Sequence, residues 1–480
     1  MSRKVKPYLE GVEIESVAAE GNSLAHVNGK VLFVQQAIPG DIVDVQVNKV
    51  RSGYMQGYIV NIVKPSKDRL QPFCEHYGEC GGCTWQPLPY GMQLEYKQQQ
   101  VVDQLTRIGH LKLPEISPIL ASDKTQYYRN KLEYTFSARR WILKDEDVNA
   151  LTDVERLGLG FHVSGFFDKV LDIKDCHLQR EPTNAIRLFI RQYAVEHSLS
   201  FFDLREQHGF MRTLMVRTTS TGENMLVVVF GLDALGGDKS AVGVQRNALL
   251  KAVSERFPEI TSLYYVVNPK ANDTFNDLEC VLYSGAEAVY ENMGGLKFKI
   301  GPKSFYQTNS EQAYRLYSVV RESVKNGCSG EKKPVIYDLY TGTGTISLFV
   351  SDLASKVVGI EYVADAIKDA EVNAAENNID NALFFAGDMK DVLNSEFIAE
   401  HGHPDIVILD PPRAGIHPDV AKVILDASPT HIVYVSCNPA TQARDLAVFS
   451  AKYSIVKVQP VDMFPHTIHV ENVVELLLNE

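Results

Sequence analysis

Two short runs carry the chemistry. Tyr434-Val-Ser-Cys437-Asn-Pro-Ala-Thr441 leaves a thiol at the end of an apolar, strand-like stretch, and 27 residues earlier a similar stretch ends in Asp410-Pro-Pro-Arg413. Acidic residues closing parallel strands, with a cysteine closing another, predict a cofactor pocket with a nucleophile beside it. That set suits covalent chemistry on a nucleobase.

Asp410-Pro-Pro-Arg413 is a stiff turn that would hold a carboxylate near a methyl donor and an incoming base. Methylation of an exocyclic amine needs no thiol, so Cys437 turns the expectation towards a ring carbon. Uracil C5 is a poor nucleophile until a thiolate adds at C6, after which C5 is enolate-like and can attack an activated methyl group. A base must then remove the C5 proton, and Glu471, in His466-Thr-Ile-His-Val-Glu471, is the nearest candidate among the remaining acids.

The methyl donor is read from Val335-Ile-Tyr-Asp-Leu339 running into Tyr340-Thr-Gly342-Thr-Gly344-Thr345. Ser347 stands where a dinucleotide fingerprint has its third glycine, and the loop has no basic residue. Asp338, four positions before the first glycine, suits a cationic ligand. Glu361 closes the next strand, where a carboxylate can accept both ribose hydroxyls, and Asp388 closes the third. S-adenosylmethionine fits these groups better than NAD.

A separate cluster, Cys74-Glu-His-Tyr-Gly-Glu-Cys80-Gly-Gly-Cys83, offers three thiolates to one metal. Soft ligands favour zinc or an iron-sulfur cluster, with Cys176 as the best placed fourth ligand and His76 and His177 as competitors that would favour zinc. Seven cysteines in a chain whose start, Met1-Ser-Arg-Lys-Val-Lys, lacks an apolar secretion core argue against a disulfide framework. No apolar run is long enough for a membrane span. A cytoplasmic location is expected.

These groups need elements to position them. The 480 residues are too many for one core. Lys30–Val34, Asp41–Val47 and Gly57–Val63 read as short strands separated by Pro39-Gly40 and Ser52-Gly53, predicting an OB-like barrel over residues 1–66. Lys64-Pro-Ser-Lys-Asp-Arg69 reads as a linker. A mixed α+β central domain over 67–300 includes a strand run, Thr213–Phe230, and a helical run, Ala241–Phe257. From 301 to 480 strands and helices alternate, predicting a doubly wound α/β sheet with its ligands at the carboxyl ends of the strands.

Charge is divided unevenly. Residues 331–480 hold 10 Lys+Arg against 22 Asp+Glu, which accounts for the whole net charge of −12, so residues 1–330 are balanced. Within them, Lys97 to Lys144 carry nine basic and four acidic side chains with aromatics interleaved, and phosphate contacts are expected there.

Taken together, the chain closely resembles the RNA uracil-5 methyltransferases, and most closely the 23S rRNA (uracil-5-)-methyltransferase branch. Residues 1 to 65 look like the family's TRAM domain, an OB-like RNA-binding barrel. Phe305-Tyr-Gln307-Thr-Asn309, Asp338-Leu-Tyr340-x-Gly342-x-Gly344, Asp410-Pro-Pro-Arg413, Ser436-Cys437-Asn-Pro and His469-x-Glu471 match its catalytic half. The resemblance implies a class I S-adenosylmethionine-dependent methyltransferase fold. It implies that Gln307, Tyr340, Glu361 and Asp410 bind S-adenosylmethionine, with Asp388 and Thr345 contributing, and that Cys437 is the nucleophile and Glu471 the proton acceptor. It implies a [4Fe-4S] cluster on Cys74, Cys80, Cys83 and Cys176. The implied partner is RNA, 23S rRNA with tRNA as the alternative; no membrane and no obligate protein partner are expected. A 5-methylcytosine RNA methyltransferase would usually carry a second thiol where this chain has Arg413, and a non-catalytic RNA-binding factor would not need Cys437, Gln307 and Glu471 together.

Overall fold

Alternating burial builds the first sheet. The computed structural model describes residues 6–18, 21–232, 239–328 and 332–479; residues 1–5, part of the start read above for a secretion signal, lie outside them. Strands β1 (Tyr8–Glu13), β2 (Ser16–Val17), β3 (Ser23–Val27), β4 (Lys30–Gln35), β5 (Ile42–Val50) and β6 (Tyr54–Lys64) hydrogen-bond in the order β1-β5-β6-β4-β3-β2. On β5 the side chains of Val43, Val45 and Val47 point inward and are fully buried beside Leu32 and Val34, each contributing about 1.5–3 kcal/mol by leaving water. β5 passes so close to β6 that a Cβ at Gly57 would lie 2.5 Å from Val45 and 2.8 Å from the Gln46 carbonyl, so glycine is required there.

The segment expected to be a linker is instead pinned to this barrel-like sheet. The fully buried Asp41 carboxylate accepts from the N–H groups of Ile38 (2.8 Å) and Ser66 (2.9 Å) and from the Arg69 guanidinium (2.8 Å). Burial alone would raise its pKa, but these donors outweigh burial and hold it below the usual carboxylate value.

The chain divides into two units, one of Met1–Thr125, Glu322–Ser329 and Leu393–Glu480, the other of Gln126–Arg321 and Gly330–Val392. In the first, helix α1 (Tyr90–Arg107) follows the cysteine segment and buries Gln93, Lys97, Val101 and Leu105, four residues apart on one face. In the second, β7 (Lys131–Ser137), β8 (Gly158–His162), β9 (Val170–Asp172), β10 (Met211–Thr218), β11 (Asn224–Phe230), β12 (Ile260–Val267) and β13 (Val281–Gly285) form a sheet of order β13-β12-β11-β10-β7-β8-β9. Helices α2 (Thr183–Glu196) and α3 (Lys239–Arg256) belong to the same stretch of chain. The strand run Thr213–Phe230 is two antiparallel strands, because Gly222, at φ +90°, turns the chain between them. β14 (Val289–Met293) and β15 (Leu296–Ile300) make a hairpin, and α4 (Ser310–Gly327) follows.

Strand and helix then alternate as expected. β16 (Val335–Leu339), α5 (Thr345–Phe349), β17 (Lys356–Glu361), α6 (Ala364–Glu376), β18 (Ala382–Ala386) and α7 (Met389–Val392) complete the second unit, with β16, β17 and β18 parallel. The first unit resumes with α8 (Ser395–His401), β19 (Ile406–Leu409), α9 (Pro418–Ala427), β20 (His431–Ser436), α10 (Pro439–Phe449), β21 (Tyr453–Val461) and β22 (Glu471–Leu478). β19 and β20 are parallel, and β22 runs antiparallel to both β20 and β21. No helix among the described residues is long and apolar enough to cross a membrane.

Candidate active site

In the second unit the glycine loop is held from both sides. Tyr340 takes a left-handed conformation (φ +67°) as the chain leaves β16, and its N–H donates to the Ile360 carbonyl at 2.9 Å. Glu361, the last residue of β17, accepts through Oε2 from the Gly342 N–H (3.2 Å) and through Oε1 from the Val363 N–H (3.0 Å). A Cβ at Gly342 would meet nothing within 4 Å, so the loop presents an open face to a ligand. A Cβ at Gly344 would come within 2.9 Å of the Ala370 side chain, which fixes glycine there for packing on α6.

Asp338 serves the loop from inside. It is fully buried, and its Oδ2 accepts from the hydroxyls of Thr341 (2.7 Å) and Ser347 (2.6 Å). The expectation that it faces a cationic ligand is therefore corrected: the carboxylate braces the loop, and burial raises its pKa to about 6. Thr345 opens α5 with a buried side chain, and Asp388 lies two residues beyond β18, 3.3 Å from Lys390 Nζ.

Gln307 lies in a segment with no helix or strand, whose main chain is anchored at several points. Asn130 Nδ2 donates to the Gln307 carbonyl and to Ser310 Oγ, both at 2.8 Å, and buried Arg217 donates to the Ser304 carbonyl at 3.0 Å. Thr343 Oγ1 reaches the Phe305 carbonyl at 3.4 Å, tying this segment to the glycine loop. Sequence reasoning missed Asn130 and Arg217. Asn130 lies in the basic, aromatic-rich stretch read for phosphate contacts and Arg217 in the strand run Thr213–Phe230, and neither pattern points to the segment around Gln307.

In the first unit Cys437 and Glu471 are brought side by side. Ser436 on β20 pairs with Asn472 on β22 in antiparallel register, so the next position along places Cys437 opposite Glu471. Gln442 on α10 fixes this pairing by donating to the Tyr434 (3.0 Å) and Asn472 (3.2 Å) carbonyls. Asn438 caps α10 by accepting from the Ala440 N–H, and its Nδ2 and Thr441 Oγ1 both donate to the Arg413 carbonyl at 3.1 Å. The Asp410 turn and the Cys437 turn are thus one hydrogen-bonded assembly.

Its electrostatics are those of a desolvated acid cluster. Burial, then the charges of Glu471 and Asp410, push the Cys437 thiol up to about 11, while Arg413 pulls it down. Glu471, 6% exposed, is raised to about 8 by burial and then by Asp410, again opposed by Arg413. Cys437 also stands just before the amino-terminal end of α10, where the helix dipole favours a thiolate.

The cysteine segment has its own order. Gly78 (φ +94°) and Gly81 (φ +73°) allow the chain to turn tightly, and Cys80 is pushed up to about 11 by burial, with the Cys83 and Cys74 thiols adding to the effect. Cys176, in the second unit, is buried with its N–H donating to Asn184 Oδ1 at 3.1 Å. Among the described residues no group of three or more His, Cys, Asp or Glu side chains has the arrangement of a metal site.

The basic stretch also divides on inspection. Lys97 is fully buried in an ion pair with Asp462 at 2.6 Å, and Arg140 is committed to Glu146, so neither is available for the phosphate contacts expected of this stretch. Losing one partner of a buried pair costs roughly 3–5 kcal/mol, whereas replacing both by apolar groups of similar size is often neutral.

Comparison with known proteins follows this geometry. Residues 293–479 match the tRNA (uracil-5-)-methyltransferase family and residues 10–60 match the TRAM domain. An RNA methyltransferase of Porphyromonas gingivalis is 56% identical over 98% of this chain and 100% of its own, and one of Bacteroides thetaiotaomicron is 54% identical over 96% and 100%. The chain belongs to the tRNA (uracil-5-)-methyltransferase family. This family member also resembles the crystal structure of the Pyrococcus abyssi tRNA (uracil-54, C5)-methyltransferase in complex with S-adenosyl-L-homocysteine, with 28% identity, a TM-score of 0.73, and coverage of 98% of this chain and 100% of the other. As a family member it is an S-adenosylmethionine-dependent RNA methyltransferase, with the α/β fold expected from its alternating strands and helices.

Proposed function

We propose that the protein methylates C5 of a uridine in 23S rRNA through a covalent adduct between Cys437 and C6. The observation that carries the covalent mechanism is the pairing of a desolvated thiol with a desolvated carboxylate at adjacent strand ends. Methyl transfer to an exocyclic amine would use neither.

Gln307, Tyr340, Glu361, Asp388, Asp410 and Thr345 are the residues assigned to the cofactor, and the open face above Gly342 beside a strand-end carboxylate fits a nucleoside with free ribose hydroxyls. When bound, S-adenosylmethionine supplies an electrophilic sulfonium methyl group. Cys437 loses its proton to solvent and its thiolate sulfur bonds to C6, moving the C5=C6 electron pair through C5 towards O4. After C5 has taken the methyl group, Glu471 accepts the C5 proton, the C5=C6 double bond reforms, and Cys437 leaves as thiolate. Arg413, whose charge opposes both raised pKa values, favours the ionised forms of thiol and carboxylate.

The 23S rRNA reading is supported by the TRAM match together with the cysteine motif; a tRNA substrate is favoured by the likeness to the archaeal tRNA enzyme. Incubation with methyl-labelled cofactor and either unmodified 23S rRNA or unmodified tRNA decides between them. Label in 5-methyluridine from rRNA is expected, and label in tRNA alone would overturn it. We infer a cytoplasmic location from the proposed RNA substrate.

We assign Cys74, Cys80, Cys83 and Cys176 to a [4Fe-4S] cluster. What supports the assignment is the sequence: three thiols come from ten residues, and thiolates are the soft ligands that iron-sulfur clusters take. With four cysteine ligands such a cluster has a structural or RNA-positioning role. Anaerobically purified protein should be brown and contain about four irons per chain. One zinc and no iron would refute the assignment.

A further inference from the structure

Glu471 reaches its place at the start of β22 through residues 462–470, a connection with no helix or strand of its own. What holds that connection is α1, some 370 residues away in sequence. Tyr90, Gln93 and Lys97 lie at positions i, i+3 and i+7, on one face of the helix. Lys97 Nζ donates to Asp462 Oδ1 at 2.6 Å and to the Phe464 carbonyl at 3.0 Å, and the Tyr90 hydroxyl donates to Asp462 Oδ2 at 2.8 Å. Both charged side chains are wholly excluded from solvent.

Gln93 grips the middle of the connection. Its Oε1 accepts from the His466 N–H at 2.9 Å, and its Nε2 lies 3.1 Å from His466 Nδ1. His466 is in the left-handed region (φ +63°), which is uncommon outside glycine. The N–H groups of Thr84 and Trp85, immediately after the cysteine segment, both donate to the His466 carbonyl at 2.9 and 3.1 Å. Burial and the Lys97 charge keep the imidazole neutral, holding its pKa near 4.

A helix that merely packed against the sheet could do so with apolar side chains, without desolvating a lysine and an aspartate. Directed polar contacts differ from apolar ones in allowing one register only. We propose that Tyr90, Gln93, Lys97 and Asp462 are positioning residues for the proton-abstraction step: they fix residues 462–470 so that the Glu471 carboxylate meets the C5 proton of the methylated adduct. This rests on Glu471 being the base.

The test separates methyl transfer from resolution of the adduct. Lys97→Met/Asp462→Asn removes both buried charges while nearly keeping shape, and Gln93→Leu, which removes no charge, keeps the question open should the double variant not fold. In single-turnover reactions with labelled cofactor and unmodified RNA, first-turnover methyl transfer should stay within about threefold of wild type, while the methylated covalent adduct decays at least about tenfold more slowly. A merely structural role would slow both steps together, and that outcome, or decay at the wild-type rate, overturns the proposal. Glu471→Gln run in parallel distinguishes the two levels. If it accumulates adduct and the α1 variants do not, only the positioning role falls; if it does not, the assignment of the base falls with it.

Discussion

Cys437→Ala should bind cofactor as the wild type does and lose methylation of RNA by a factor on the order of 10⁴ or more. Its thiol stands in the first unit, after β20, while the glycine loop and Glu361 are held by contacts within the second, so removing one sulfur leaves those contacts intact. The decisive measurement uses RNA containing 5-fluorouridine. Fluorine at C5 cannot leave as a proton, so the wild type should stall as a methylated covalent complex, visible as a retarded band on a denaturing gel. The alanine variant should give no such band. Measurable methylation of ordinary uridine RNA by Cys437→Ala would mean that C5 is activated without addition at C6, and the covalent mechanism would fail.

Why Cys437 could be found from sequence, and its surroundings could not, follows from what local pattern encodes. A thiol after an apolar strand, before an Asn-Pro that caps and starts a helix, is a local arrangement, and β20 and α10 form as that pattern predicts. The same holds for Glu361 at the end of β17 and for the glycine loop after β16. Glu471 is the nearest-looking of the remaining acids, and the resemblance through His469-x-Glu471 singles it out. Its place opposite Cys437 depends on β22 running antiparallel to β20, a pairing between segments some 35 residues apart.

Charge misled where burial is set by distant partners. Lys97 counted as one of nine basic residues in a surface stretch, but Asp462 draws it inside. Asp338 looked like a ligand carboxylate because it precedes the glycines, yet Thr341 and Ser347, only three and nine residues on, fold back to occupy it. The supposed linker after β6 is fixed by Asp41, whose role as a buried acceptor is invisible until Ser66 and Arg69 are brought round to it. In each case the residue type was read correctly, but which group it engages is set by the folded chain and not by the residue pattern around it.

Glu471→Gln should leave addition and methyl transfer working and stop the reaction at the next step. Glutamine keeps the shape of the side chain and removes the basic oxygen, so the methylated adduct should accumulate with ordinary uridine RNA and carry the labelled methyl group. Turnover should fall on the order of 10²–10⁴-fold, the usual worth of a positioned base. The wild type adds a pH signature. With its pKa raised to about 8, the carboxyl group is mostly protonated at pH 7, and the basic form grows as pH rises through 8. Adduct decay, measured by quenching single-turnover reactions, should therefore speed up about tenfold per pH unit below that value and level off above it. Arg413 opposes the raised value, so Arg413→Gln should move the inflection to higher pH. Near wild-type turnover by Glu471→Gln, with no adduct on the gel, would assign the proton to another group.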